Sequence, residues 1–283
     1  MEKSGYQIRV MSKEDLSLAV EWAAEEGWNP GLHDAASFFA ADPNGFLMGY
    51  LNGEPISSIS VVKYSNGFGF LGFYIVKPEY RGKGYGLAIW QAGLEYLAGC
   101  NIGLDGVVDQ QANYRRSGFS LAYGNIRFEG LGGGVAPEQA DIIPIDEAHF
   151  NEVLCYDSAF FPASRDVFLR HWLNQRESVA LAIRRGGKLA GYGVIRPCRE
   201  GYKIGPLFAD DVALAEDLFL ALRAKASAYD PVYLDVPESN HAGVALAGKY
   251  EMEPVFTTAR MYTGEFPDIS VERTFGVTTF ELG

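Results

Sequence analysis

Arg81-Gly82-Lys83-Gly84-Tyr85-Gly86 is the segment of this chain best equipped for chemistry. Alternating glycines let the backbone turn tightly and aim its N–H groups outward. A strand-like run, Phe70 to Val76, leads into it through Lys77-Pro78-Glu79-Tyr80, and Leu87, Trp90, Leu94 and Leu97 behind it mark one face of a helix. The turn therefore lies at the positive end of a helix dipole, which makes an anion cradle suited to a pyrophosphate. It has neither the spacing of a Walker P-loop nor that of a dinucleotide fingerprint. Further along, Tyr114 stands ahead of Gly118-Phe119, where a tyrosine can simply pack with its hydroxyl satisfied.

The elements that must position these groups can be read on either side. Gln7 to Met11 reads as a strand, Ser12 as an N-cap with Leu16, Val20 and Ala23 at helical spacing, and Ala35 to Ala40 as a second helix. Asn52-Gly53 and Asn66-Gly67 then divide apolar runs as two-residue hairpins, giving an antiparallel meander. Ile102 to Val108 is a strand, Gln110 to Ser117 a helix and Leu121 to Phe128 a closing strand. Gly130 to Pro137 has the composition of a flexible joint. The expected division is residues 1–130, a linker at 131–140, and a second unit at 141–283. That second unit repeats the order: a strand over 141–145, helices over 147–157 and 165–173, a hairpin across Arg185-Gly186-Gly187-Lys188, a strand over 203–208, a helix after Asp210-Asp211, a strand over 232–236, a helix near 242–247 and a strand over 255–262. The tail Phe275 to Leu282 alternates like one more strand.

Val76-Lys77-Pro78-Glu79-Tyr80-Arg81-Gly82-Lys83-Gly84-Tyr85-Gly86 resembles the acetyl-CoA motif of the GNAT superfamily of N-acetyltransferases, Gln/Arg-x-x-Gly-x-Gly/Ala after a strand ending near a proline. Asn113-Tyr114-Arg115-Arg116-Ser117-Gly118-Phe119 resembles the Tyr-x-x-x-Gly-Phe segment that closes such domains. The resemblance covers roughly residues 6–129. It implies an α/β (α+β) fold of tandem GNAT-like domains, each a mixed, mostly antiparallel sheet flanked by helices. It also implies that the backbone of Arg81, Gly82, Lys83, Gly84, Tyr85 and Gly86 holds the pyrophosphate, that Ile75 and Val76 pair with pantetheine amides, and that Tyr114 protonates the leaving thiolate. The family often has an Asn seven residues before this Tyr; here Val107 stands there, with Gln110 or Asn113 as substitutes. In the second unit the equivalent turn is Leu207-Phe208-Ala209-Asp210-Asp211, whose carboxylates would repel phosphate. The whole resembles two-domain acetyltransferases with a degenerate C-terminal repeat.

The expected activity is transfer of an acetyl group from acetyl-CoA to a small primary amine, by direct attack in a ternary complex. The alternative is a non-catalytic acyl-CoA-binding or sensing module. For the acceptor, the resemblance implies that the connection between the first two helices, with Trp28, Asn29 and Asp34, borders the acetyl site, and an aromatic ring with a carboxylate suits an amine. Asp157 or Asp235 can deprotonate an ammonium, and Asp105, inside a strand, is either a base or a buried hydrogen-bonding group. A net charge of -12 over 283 residues disfavours nucleic acid and anionic membranes and favours a cationic small molecule. Three cysteines without close pairs, four scattered histidines and no signal-peptide core point to no metal and a cytoplasmic location; oligomeric state is not written in the sequence.

Overall fold

Residues 4–138 and 140–283 are described in a computed structural model of the chain. The first half runs β1 (Tyr6–Val10), α1 (Lys13–Glu25), α2 (Asp34–Ala41), β2 (Phe46–Leu51), β3 (Glu54–Lys63), β4 (Phe68–Val76), α3 (Tyr85–Tyr96), β5 (Asn101–Val107), α4 (Gln111–Arg116) and β6 (Ser120–Leu131). The second runs β7 (Ile142–Pro144), α5 (Phe150–Asp157), α6 (Asp166–Leu173), β8 (Val179–Arg185), β9 (Lys188–Pro197), β10 (Tyr202–Ala209), α7 (Val212–Arg223), β11 (Pro231–Pro237), α8 (His241–Lys249), β12 (Glu253–Tyr262) and β13 (Thr274–Gly276).

Local chemistry explains most boundaries. Ser12 and Asp15 form a reciprocal capping box at the start of α1. Asn52-Gly53, with φ of 51° and 88°, makes the two-residue turn between β2 and β3. Asn66-Gly67 does not: Ser65–Gly67 form a short 3-10 turn, so the connection from β3 to β4 is longer than the expected hairpin.

The strands form a single sheet in the order β1-β2-β3-β4-β5-β12-β6-β11-β10-β9-β8-β7, with β13 added beside β10. Among the described residues only β4 with β5, and β10 with β11, run parallel. The closing strands of the two halves are exchanged: β12 pairs with β5, β6 pairs with β11, and the two pair with each other. The register sets Arg260 opposite Asp105 and Arg127 opposite Asp235. Each couple is a buried bidentate ion pair, with N–O distances of 2.6–2.8 Å. The glycine-rich joint is partly built into this sheet. Gly130 and Leu131 end β6, while the Gly132 N–H donates to the Asp230 carbonyl and the Gly133 N–H to that of Ala226.

The tail differs most from expectation. Only Thr274–Gly276 are strand, because β10 offers just Leu207 and Phe208 as partners. The remainder runs irregularly into the interior, where Phe280, Glu281 and Leu282 are buried. Beneath the sheet a core common to both halves joins Phe38 and Phe73 to Trp172 and Phe168, with the Phe38 and Trp172 rings stacked at 6.0 Å. Among the described residues no helix is long and apolar enough to cross a membrane.

Candidate active site

The site exists because two parallel strands part. β4 and β5 pair from Phe68/Asn101 to Leu71/Leu104 and no further. A bulge sets the divergence: Ser58 and Ser60 of β3 pair with Ile75 and Gly72, so Ile59 alone opposes both Phe73 and Tyr74. Phe73 has φ 44°, a conformation that a bulky side chain rarely adopts, and the Ser58 hydroxyl fixes it by donating to the Phe73 carbonyl at 2.8 Å. The backbone edge of β4 turned toward β5 is thereby left without a strand partner. It faces a cleft of about 630 Å³ lined by Gly72 to Val76 on one side and Leu104 to Val107 on the other.

At one end of the cleft lies the glycine-rich turn. Gly82 and Gly84 have φ of 72° and 80°, and Gly84 is the N-cap of α3, so the first N–H groups of that helix lack intrahelical acceptors. A Cβ on Gly86 would come within 2.7 Å of the Tyr74 hydroxyl. Side chains are thus kept out of the turn on its strand side. The Arg81 guanidinium bends back, donating from Nε to the Val76 carbonyl at 2.8 Å and pairing with Glu26. Lys83 donates to the Glu79 carbonyl at 2.8 Å. What the turn offers to the cleft is therefore chiefly backbone.

Tyr114 stands between this cleft and a neighbouring cavity of about 300 Å³, where Asn113 lies. Its ring stacks on Trp90 at 5.6 Å and covers Gly106, where a Cβ would lie 2.2 Å from the ring. Burial, aided by the nearby Tyr74, pushes its phenol up to about 12. Gln110 reaches both cavities and accepts from the Asn113 amide at 2.6 Å, whereas Val107 lines the cleft with an apolar side chain.

The expected acceptor residues separate. Trp28 lines the cleft. Asn29 exchanges two hydrogen bonds of 2.9 Å with the backbone of Glu200 and so ties its loop to the second half. Asp34 is buried between the Gly31 N–H and Arg196, both at 2.9 Å. Asp157 is gripped by Arg165 at 2.7 and 2.8 Å and by the Tyr192 hydroxyl, and Asp235 by Arg127, so neither carboxylate faces the cleft. Asp105 resolves as a buried hydrogen-bonding group, held by Arg260 and by the Asn125 amide at 2.8 Å. In their place the cleft receives Phe256 and Thr258 from β12, and Phe280 and Glu281 from the tail. The one signal for Glu281 in the sequence is a lone carboxylate in an otherwise uncharged run from Thr274 to Leu282.

The second half has the same parting of strands, and its own chain fills it. β10 and β11 pair only from Tyr202 to Ile204; beyond that β13 lies against β10, and the Val277 N–H donates to the Asp235 carbonyl at 2.8 Å. At the start of α7, Asp211 caps the Leu214 N–H and pairs with Arg185.

Two family models match the chain: "Acetyltransferase (GNAT) family" over residues 11–119 and "Acetyltransferase (GNAT) domain" over residues 153–276. A holothin acyltransferase from a Pseudoalteromonas species is 31% identical over 282 residues, spanning 100% of this chain and 96% of the relative. The chain belongs to the GNAT family. This GNAT protein is an acyltransferase enzyme built from two GNAT domains. Its fold matches a putative acetyltransferase from Pyrococcus horikoshii at a TM-score of 0.85 and 21% identity, over 100% of this chain and 98% of the other. A tandem GNAT protein from the clavulanic acid biosynthesis pathway matches at a TM-score of 0.64 and 13% identity, over 92% and 99% of the two chains.

Proposed function

We propose that the chain transfers an acetyl group from acetyl-CoA to a small primary amine, in a ternary complex, with one acyl-CoA site per chain. The observation that carries this reading is the open cleft between β4 and β5, joined at one end to the side-chain-free turn at the start of α3. An extended amide-bearing arm fits the unpaired edge at Ile75 and Val76, and a pyrophosphate fits the N–H groups of Gly82 to Gly86. The corresponding space in the second half is taken by β13, which supports a single site.

Acetyl-CoA would supply an activated thioester. The protein's part is orientation and charge. Backbone N–H groups at the Phe73 bulge suit the negative charge that develops on an acyl oxygen. Tyr114 stays protonated at neutral pH, and it helps the departing sulfur by donating a hydrogen bond to it. As the amine lone pair forms the C–N bond, the C–S pair leaves on sulfur. The nitrogen sheds as many protons as the sulfur gains, leaving a neutral amide and a free thiol.

The test pairs calorimetry with thiol release. Acetyl-CoA should bind with a stoichiometry of one, and a panel of primary amines should include at least one that frees CoA thiol. Binding without thiol release from any amine would favour a sensing module instead.

A further inference from the structure

Glu281 is a carboxylate without a cation. It is 5% exposed and lines the cleft, yet among the described residues no lysine, arginine or histidine forms an ion pair with it. Among the described residues its side chain accepts only from the Thr279 hydroxyl. The charged groups whose fields reach it bond chiefly to other partners, although Arg196 keeps a buried Nη1 without an acceptor and Lys203 is in no ion pair among the described residues. Arg127 of β6 is held by Asp235, Arg196 of β9 by Asp34, and Asp105 of β5 by Arg260. Lys203 of β10 donates to the Asn29 carbonyl at 3.0 Å. Buried carboxylates are normally paired, because removal from water without compensation is costly. A second group in the same cleft is also unsatisfied: the Thr258 hydroxyl is buried and has no partner.

The surroundings of Glu281 define what would pair with it. Trp28, Phe256 and Phe280 line the same space, and Arg127 braces them by donating to the Trp28 carbonyl at 2.7 Å and lying over the Phe256 and Phe280 rings at 5.7 and 5.0 Å. We infer that Glu281 receives the ammonium of an acceptor that carries an aromatic ring, with the ring against Trp28, Phe256 and Phe280. The inference rests on the acyl-transfer reading and names the acceptor subsite of that cleft. The contact is also where the ammonium gives up one proton, to the carboxylate, before its nitrogen attacks.

The experiment measures binding of 2-phenylethylamine and of its uncharged counterpart 2-phenylethanol to the full chain saturated with CoA. Unmodified protein should prefer the amine by about tenfold or more, as a charge-assisted contact with a buried carboxylate requires. In Glu281→Gln the two ligands should bind within about twofold of each other while acetyl-CoA affinity is unchanged, and Glu281→Asp should restore part of the preference. Equal binding of amine and alcohol by the unmodified protein overturns the inference whatever the variants do, and so does an undiminished preference in Glu281→Gln. Amine preference without thiol release would sink the acyl-transfer reading and spare the Glu281 subsite; equal turnover by Glu281→Gln would do the reverse.

Discussion

Arg127 and Asp235 face each other across β6 and β11, joined by two hydrogen bonds of 2.6 and 2.8 Å, and one comes from each half of the chain. Arg260 and Asp105 repeat the arrangement across β12 and β5. A sheet in which closing strands trade places must prevent slippage by one residue, since that would turn every side chain to the wrong face. Two bidentate pairs at defined register positions supply that restraint, and the Arg127 couple also braces the aromatic wall of the cleft.

Asp235→Asn leaves Arg127 buried without its counter-charge and should cost about 3–5 kcal/mol in urea unfolding. Burial alone would raise the Asp235 carboxyl, but the Arg127 guanidinium more than offsets this and holds it below the usual carboxylate range. With a folded value below the unfolded one of about 3.9, the pair's contribution is complete above that value and is lost as pH falls through the lower, folded value. Urea midpoints measured against pH should therefore drop more steeply on acidification in the native protein than in Asp235→Asn.

Gly84→Val places a β-branched residue at φ 80° where the backbone must approach a phosphate. Acetyl-CoA affinity by calorimetry should fall roughly tenfold or more, with the acceptor subsite left intact. Unchanged affinity would remove the cradle assignment.

Tyr114→Phe keeps the ring stacked on Trp90 and deletes only the hydroxyl. The rate of thiol release should fall by about 10²-fold or more with little change in acetyl-CoA affinity. Because the phenol sits at about 12, the native rate should rise with pH as the amine becomes neutral and then hold level through pH 10 rather than decline. A descending limb near neutrality would point to a different proton donor.

Gly72→Ala would drive a Cβ to 2.4 Å from the Glu281 carbonyl oxygen. Displacing the tail should raise the amine KM while leaving acetyl-CoA binding unaffected, with overpacking costing about 1–3 kcal/mol in stability.

Phe275→Ala should destabilise by about 3–5 kcal/mol, because that ring is buried where β10 and β11 part. Acetyl-CoA stoichiometry should remain one, since Asp211 still occupies the start of α7.

Local structure was legible in the sequence to the extent that it depends on neighbours along the chain. Asn52-Gly53 and Gly186-Gly187 announced their turns through the backbone freedom they require, and Leu87, Trp90 and Leu94 announced α3 through helical spacing. The glycine-rich turn at the start of α3 and the short helix that carries Tyr114 were visible because motif and element coincide. Partners remote in sequence were not. Alternation identifies Glu253–Tyr262 as a strand but cannot say that its neighbours are β5 and β6 rather than β11. Asp157 and Asp235 look like available carboxylates until Arg165 and Arg127, from other elements, are seen to enclose them. Glu281 was hidden by a tail whose alternation mimics a strand, although only three of its residues find an edge to pair with.

The exchange of β6 and β12 also governs the order in which the protein can be made. Asp105 must wait for Arg260, 155 residues later, before its strand, already paired on one side with β4, acquires its second neighbour. Until that point in synthesis the edge of β5 is exposed, and an exposed edge invites pairing with other chains. The maturation of the first half is therefore set by the emergence of the last strands rather than by its own.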